Sequence, residues 1–343
     1  MKDLIRDLQA VGLNPVVIDE NTEFLDMGVS NPEFVENSNG VPSPFIPGTF
    51  MQFAWDSTSL GYLKTCPRLY QYIVIDGWQP REDSVHLRFG QEYHQAIADY
   101  KKSRADNISH EDALFDVIKA LMFRINDWWP DHKYKNRIHL LYAIVGYIDS
   151  HQDDPAATII LNNGEPAVEH SFRFETQYMC TDTQPYILCG HLDDVVKFNN
   201  NNFPMDRKTT TSTPGSYYWQ QFEPNNQMTI YTMAAGVVLE EPANGVIIDS
   251  CQLLLEHPYV RFTRGITYRT QDQLEEWIYD LSFVLAEAEE YARKEYWPMR
   301  DTSCNMFGGC KFREVCAAAR HIRPAILESD FIKGEPWNPL KPR

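Results

Sequence analysis

Basic residues are scarce in this chain: 31 Lys and Arg stand against 48 Asp and Glu, a formal net charge of −17. That deficit excludes the plainest signature of a nucleic-acid-binding protein, an overall basic surface. It leaves a metal-dependent hydrolase open, because such an enzyme must carry carboxylates and a local basic groove coexists with an acidic exterior. Long apolar runs are also missing. No stretch approaches the roughly 18 uninterrupted apolar residues of a membrane span. The opening residues, MKDLIRDLQAVGLNP, lack the apolar core of a secretory leader. The expectation is a cytoplasmic protein with no membrane partner. Cysteine is sparse and odd in number, at seven, which speaks against a disulfide framework. No G-x-x-x-x-G-K-[ST] run occurs, so ATP-driven unwinding is not encoded, and there is no internal repeat.

What is present is a core. The 343 residues include 18 Tyr, 18 Phe and 8 Trp, and a chain of this length buries roughly 75% of its unfolded surface. Residues 1–50 hold eight acidic and two basic residues and end in VPSPFIPG; they read as an acidic arm with one short helix over 2–11. Residues 51–320 read as one catalytic domain and 321–343 as a Pro-rich tail. Helices are expected from Ser57 to Pro67, over 84–101, from Ser109 with Asp112 at its third position, and over 134–150. Strand character begins near 167, where Val168, Phe172 and Phe174 share one face and Glu169 lies on the other. YILCGHLDDVVKF (186–198), a turn at 199–202 and FPMDRKTT make a hairpin. A helix from Pro224 to 238, strands over 245–256 and 260–268, and a long helix from Thr270 and Gln273 to about 294 complete an α/β order.

Three features at the centre carry chemistry. Gly190-His191-Leu192-Asp193 interrupts an apolar strand, and a charge there costs several kcal/mol unless it is paired or bound to a metal. Asp206-Arg207-Lys208-Thr209 occupies the next strand, where alternation sends Asp206 and Lys208 to one side. A hairpin brings Asp193 beside Asp206, and a hard divalent cation resolves the repulsion of two such carboxylates. Lys208 is placed to hold a water and to offset charge on a phosphate. Gln227 and Tyr231, four residues apart on the following helix, share a face from which they hold the lysine or touch a phosphate. Asp194 falls on the opposite face from Asp193.

The run GHLDD, MDRKT, Q-x-x-x-Y resembles the PD-(D/E)XK nuclease superfamily, in particular its RecB-like branch. That branch also has a histidine on an earlier helix, often with Gly four residues before it. Here the segment reads Gly90-Gln91-Glu92-Tyr93-His94, and the glycine would clear space beside the imidazole. The resemblance implies a restriction-endonuclease-like core, a mixed central sheet flanked by helices, with a helical insertion and a C-terminal cysteine segment. It implies Mg²⁺ or Mn²⁺ held by His94, Asp193, Asp206 and the Arg207 carbonyl, with Lys208 orienting the attacking water. Glu169 is a weaker candidate on the preceding strand.

Late cysteines follow a C-x5-C-x5-C pattern, Cys304, Cys310 and Cys316, and Cys66 stands alone early. Three thiolates leave one tetrahedral position open, which Cys66 fills if the chain ends meet. Zinc uses tighter C-x2-4-C pairs; four cysteines also hold a 4Fe-4S cluster. The same branch contains nucleases with one cysteine before the core and three after it, so the resemblance implies an iron–sulfur cluster, with zinc as the alternative. Cys180, Cys189 and Cys251 read as small buried hydrophobes.

The expected activity is a metal-dependent deoxyribonuclease, an exonuclease on DNA ends or single strands in recombination, repair or phage DNA metabolism, in a bacterial or phage-infected cell. Lys64, Arg68, Arg88 and Arg207 are candidate backbone contacts, and Tyr217, Tyr218 and Trp219 either stack on unpaired bases or fill the core. The alternative is a catalytically inactive nuclease-fold subunit that binds DNA or protein partners in a recombination or packaging complex.

Overall fold

The computed structural model describes residues 13–14, 42–81 and 84–341. The helix expected over 2–11 lies outside them. In chain order the elements are β1 (Leu13–Asn14), β2 (Ala54–Trp55), α1 (Ser57–Thr65), α2 (Pro67–Tyr70), β3 (Trp78–Pro80), α3 (Val85–Ala105), α4 (His110–Arg124) and α5 (Arg137–Ser150). Then come β4 (Ala157–Thr158), β5 (Val168–Met179), β6 (Pro185–Phe198), β7 (Asn201–Thr210), α6 (Ser216–Gln220), α7 (Asn226–Leu239), β8 (Gly245–Leu253) and β9 (Val260–Tyr268). The last are α8 (Gln271–Arg293), α9 (Arg313–Ala317), α10 (Arg323–Asp330) and β10 (Phe331–Lys333). No described helix is long and apolar enough to cross a membrane.

Local chemistry sets these boundaries. The Asp56 carboxylate accepts from the Ser59 N–H while the Ser59 hydroxyl accepts from the Asp56 N–H, a reciprocal cap that opens α1. Cys66 is extended, and Pro67 starts α2 at a position where a missing N–H costs nothing. Ser84, Ser109 and Asn136 cap α3, α4 and α5. Asn199 and Asn200 have φ of +49° and +63°, the paired left-handed conformation of a two-residue hairpin turn. Several boundaries shift: the helix expected over 84–101 runs on to Ala105, that over 134–150 starts at Arg137, and the strand over 245–256 ends at Leu253. The helix foreseen at Pro224 begins at Asn226, because the Asn225 side chain accepts from the Met228 N–H and so fixes the cap one residue beyond the proline.

The fold is α/β, a mixed sheet flanked by helices: β7 and β8 run parallel, while β6–β7 and β8–β9 are antiparallel. The chain divides into two compact units. One comprises Met1–Glu82, Ser171–Gly190 and Gln271–Arg343; the other comprises Asp83–His170 and His191–Thr270. β5 and β6 are continuous strands with one part in each.

In the first unit, β2 runs parallel to the first half of β6 and β3 pairs with β10. Trp55 and Tyr70 stack in its interior, and Tyr70 donates to Gln52 at 2.6 Å. The second unit buries α3, α4 and α5 against one sheet face through Phe89, Tyr93, Ile97, Val117, Leu121, Ile144, Cys251 and Leu253. Burying side chains of this size stabilises by about 1.5–3 kcal/mol each. On the other face lies α7, whose residues Met228 to Val237 are all buried.

Candidate metal centre

The centre lies in the second unit, where two strands part. β6 and β7 are paired from Phe198↔Asn201 to Asp194↔Met205, and the ladder ends there. Asp193 and Asp206 are the next residues on either strand. The Arg207 N–H, no longer used in the ladder, donates to Asp193 Oδ2 at 2.9 Å. A strand residue sends N–H and C=O to the same edge, so the Arg207 carbonyl opens on the Asp193 side as well. From the other direction α3 delivers His94. Its apolar neighbours Tyr93, Ala96 and Ile97 are buried, which turns His94 to the flank, with Nδ1 3.1 Å from Asp193 Oδ2.

Asp206 and Lys208 share a face, as alternation requires. Lys208 Nζ donates to Asp206 Oδ1 at 2.9 Å, stands 2.8 Å from Oδ2, and donates to Gln227 Oε1 at 3.0 Å. Gln227 Nε2 in turn donates to Tyr231 Oη at 3.0 Å. Gln227 and Tyr231 thus hold the lysine, one of the two roles their spacing allowed. Lys208 keeps a third of its side chain exposed, so its ammonium faces an accessible space.

A metal-sized grouping exists, and its membership differs from the expected one. His94, Glu169 and Asp193 each offer a ligand atom within 4.8 Å of the others. Asp206 is outside that grouping and is paired with Lys208. Glu169 enters it because its φ is +51°. That left-handed residue breaks the strand alternation and brings the side chain round to the site, a strain of order 1 kcal/mol characteristic of functional positions.

The electrostatics follow from the geometry. Burial raises the Asp193 carboxyl, but the His94 imidazole and the Lys208 ammonium outweigh it and hold the group far below the usual carboxylate range. Burial also disfavours the His94 imidazolium; the Asp193 charge more than offsets this, so its pKa is raised. Asp206 is pushed above its ordinary value by burial and the Asp193 charge, with Lys208 opposing. Lys208 loses by burial and gains more from Asp206 and Asp193, so its ammonium is reinforced. One firmly ionised acid, a fixed ammonium and an oxygen- and nitrogen-bearing triad suit a hard or borderline divalent cation.

Several expected roles change. The Arg207 side chain is 1% exposed and bonds Asp194 at 2.6 Å, so it is no surface contact for DNA. Lys101 joins Asp194 from α3, seven residues and two turns beyond His94. Tyr147, Asp249, Arg264 and Asp154 extend this ionic network. Its sequence signal was the second acid of the Asp193-Asp194 pair. Arg68, in the first unit, is also buried and donates to the Trp297 carbonyl at 2.7 Å. Lys64 and Arg88 reach the surface. Tyr217 is exposed, Tyr218 is buried with its hydroxyl against Ser250, and Trp219 lies on Gly265, where a Cβ would come within 2.6 Å of the ring. Gly90 is not needed to clear the imidazole, since a Cβ there would meet nothing within 4 Å. Gly190 does have a steric reason: a Cβ would lie 3.0 Å from the Phe172 ring.

The four cysteines belong to the first unit. Cys66 Sγ accepts from the Arg300 N–H at 3.4 Å, and the Cys310 N–H donates to the Cys304 carbonyl at 2.9 Å. The intervening Gly308 and Gly309 have φ of +88° and +101°, conformations that glycine adopts without penalty. Burial raises the Cys310 thiol, and nearby Cys304 and Cys66 raise it further. Cys316 is raised by burial and also by Cys310 and Cys66. Among the described residues, no three of the four thiols come within the 4.8 Å that groups the centre in the second unit. Cys180, Cys189 and Cys251 are buried and free, and burial pushes the Cys180 thiol up to about 11 and that of Cys251 up to about 12, so both stay protonated and inert.

No family model and no curated protein matches the chain. Among solved structures it is similar to one described as "Crystal structure of SSO0001", at 14% identity over 77% of this chain and 86% of that one, with a TM-score of 0.30. A likeness of that size carries no argument about fold or activity.

Proposed function

We propose that the chain is a metal-dependent deoxyribonuclease that hydrolyses phosphodiester bonds at DNA ends or in single strands. The observation that carries the reading is the clasp on Lys208: Asp206 and Gln227 fix its ammonium beside the His94–Asp193 pair. An oriented, part-buried ammonium next to a cation-binding triad matches the needs of phosphoryl chemistry, in which charge develops on non-bridging oxygens. His94, Glu169 and Asp193 hold the divalent ion, and the Arg207 carbonyl and Asp206 border it. When bound, Mg²⁺ or Mn²⁺ supplies Lewis acidity toward the phosphate and lowers the pKa of a water. Lys208 orients that water and offsets the growing charge, while Gln227 and Tyr231 keep the ammonium from swinging away.

A 4Fe-4S cluster on Cys66, Cys304, Cys310 and Cys316 belongs to the same proposal. Zinc sites favour tighter C-x2-4-C pairs; the C-x5-C-x5-C sequence spacing of Cys304, Cys310 and Cys316 supports an iron–sulfur cluster over zinc. We assign the cluster a structural role that ties residue 66 to residues 304–316. Net acidity favours one other reading, a non-catalytic subunit. Cleavage of end-labelled linear single- and double-stranded DNA with Mg²⁺ or Mn²⁺, against an EDTA control, separates the two. Metal-dependent loss of label supports the nuclease; intact DNA with every metal removes it.

A further inference from the structure

Within this acidic chain the second unit holds a small basic island. Residues 84–88 open α3, and residues 126–137 run from the end of α4 into α5. Together they carry Arg88, Lys133, Lys135 and Arg137 against Asp127 and Asp131, with His86 and His132 beside them. The two segments touch: the His86 and His132 rings are 5.1 Å apart, and the Arg88 guanidinium lies 5.7 Å from the Trp128 ring centre, donates to the Arg124 carbonyl and pairs with Asp127 at 3.2 Å.

Trp129 stands out. It is 75% exposed, so its ring forgoes the burial that stabilises most tryptophans. It is nonetheless held in place. The Arg137 guanidinium lies 3.9 Å from the ring centre, and the indole N–H donates to the Asn126 carbonyl at 3.1 Å. Arg137 is itself fixed by a bond to the same carbonyl at 3.3 Å. A rigid, exposed aromatic plate backed by a cation is a surface on which a planar base stacks. The loop is also anchored to the motif strand, because Lys135 Nζ donates to the hydroxyl of Thr209, the residue after Lys208. Along α3, Arg88 precedes His94 by six residues, about 9 Å at 1.5 Å per residue.

We propose that Trp129, Arg137 and Arg88 form a stacking platform for an unpaired nucleotide of the strand that enters the His94–Asp193–Lys208 centre. This rests on the nuclease reading and adds a binding site to it. The ligand is single-stranded nucleic acid, since only unpaired bases offer both faces and the cations nearby neutralise its phosphates. Lys133 and Arg137 of this loop, in a chain of net charge −17, favour a polyanion over an apolar protein partner, while Lys135 is buried and Arg88 is paired with Asp127.

The test uses the full chain in an Asp206→Ala background, so that DNA survives, and reads the anisotropy of fluorescein-labelled oligo-dT in EDTA at low salt. Trp129→Ala should weaken binding roughly five- to a hundredfold, the range of one stacked base, and Trp129→Phe should retain most of it. Arg137→Ala should also reduce the salt dependence, by about one counterion. Blunt duplex binding should not change. Unchanged oligo-dT affinity in Trp129→Ala overturns the platform, as does a loss confined to self-association of the protein. Trp129 is exposed, so circular dichroism should show the parent fold. With Asp206 intact, Trp129→Ala should raise KM on single strands and leave kcat alone. If the parent binds oligo-dT through Trp129 but cuts nothing, the nuclease reading fails and the platform stands. If the parent cuts and the variant binds as well as the parent, the platform alone fails.

Discussion

The two candidate centres are built by opposite means. In the second unit all the polar groups at the ion site except Glu169 are positioned by regular structure: Asp193, Asp206 and Lys208 by strands whose ladder ends there, His94 by a 21-residue helix, and Gln227 and Tyr231 by another helix. The groups hold one another at 2.8–3.1 Å. In the first unit Cys304 and Cys310 flank short turns with two left-handed glycines, Cys66 sits between α1 and α2 and Cys316 on the five-residue α9, and the sulfurs of Cys66 and Cys304 make long contacts of 3.4 and 4.0 Å. A site assembled by a sheet keeps its shape when empty; a site assembled by loops depends on what it binds to fix the backbone.

That contrast is open to attack at several points. Asp206→Ala or Lys208→Ala should lower kcat by at least about a thousandfold while leaving the fold and any iron absorbance unchanged; cleavage surviving in both would remove the centre from the chemistry. Cys310→Ser should bleach the brown colour of anaerobically purified protein, lower its soluble yield and reduce Tm by several degrees. A colourless wild type that is fully active would refute the cluster. Glu169→Gln should weaken Mn²⁺ binding at least about tenfold, measured by calorimetry; an unchanged affinity would return the third ligand position to Asp206. EDTA should abolish cleavage with little change in Tm, because the acids keep their internal partners, and a large drop would show that the second unit also needs its ion. The smallest effect concerns pH. Burial works against the ionised Asp154, but its paired bonds to Arg264 outweigh this and lower its pKa below 3.8. A depressed folded value means stability present above about pH 3.8 and lost as pH falls through the lower value. Acid unfolding followed by circular dichroism should therefore lose part of its steepness below pH 4 in Asp154→Asn.

Much of the site was legible because strand periodicity and helix spacing are local. Alternation placed Asp206 with Lys208 and opposite Arg207, and set Asp193 apart from Asp194. An i,i+4 step placed Gln227 under Tyr231. Glu169 was not legible in this way, since its face depends on one left-handed residue that the alternating pattern Val168, Phe172, Phe174 conceals. Arg207 and Arg68 read as surface cations because sequence records a charge but not its burial. Gly190 read as part of a motif, and its reason is the Phe172 ring beside it.

From the order of residues alone came the candidate groups Asp193, Asp206 and Lys208, the Gln227–Tyr231 pair and the elements that carry them. Those follow from bonded geometry, which repeats every two or 3.6 residues. The tertiary structure decided which acid stands with His94 and Asp193 and which is spent on the lysine. It also decided that Asp194 anchors a buried ionic network, and that two noncontiguous sets of segments condense into separate units. Such choices turn on where a strand ladder stops and which charges lose their water, and both are settled only by contacts between residues far apart in the chain.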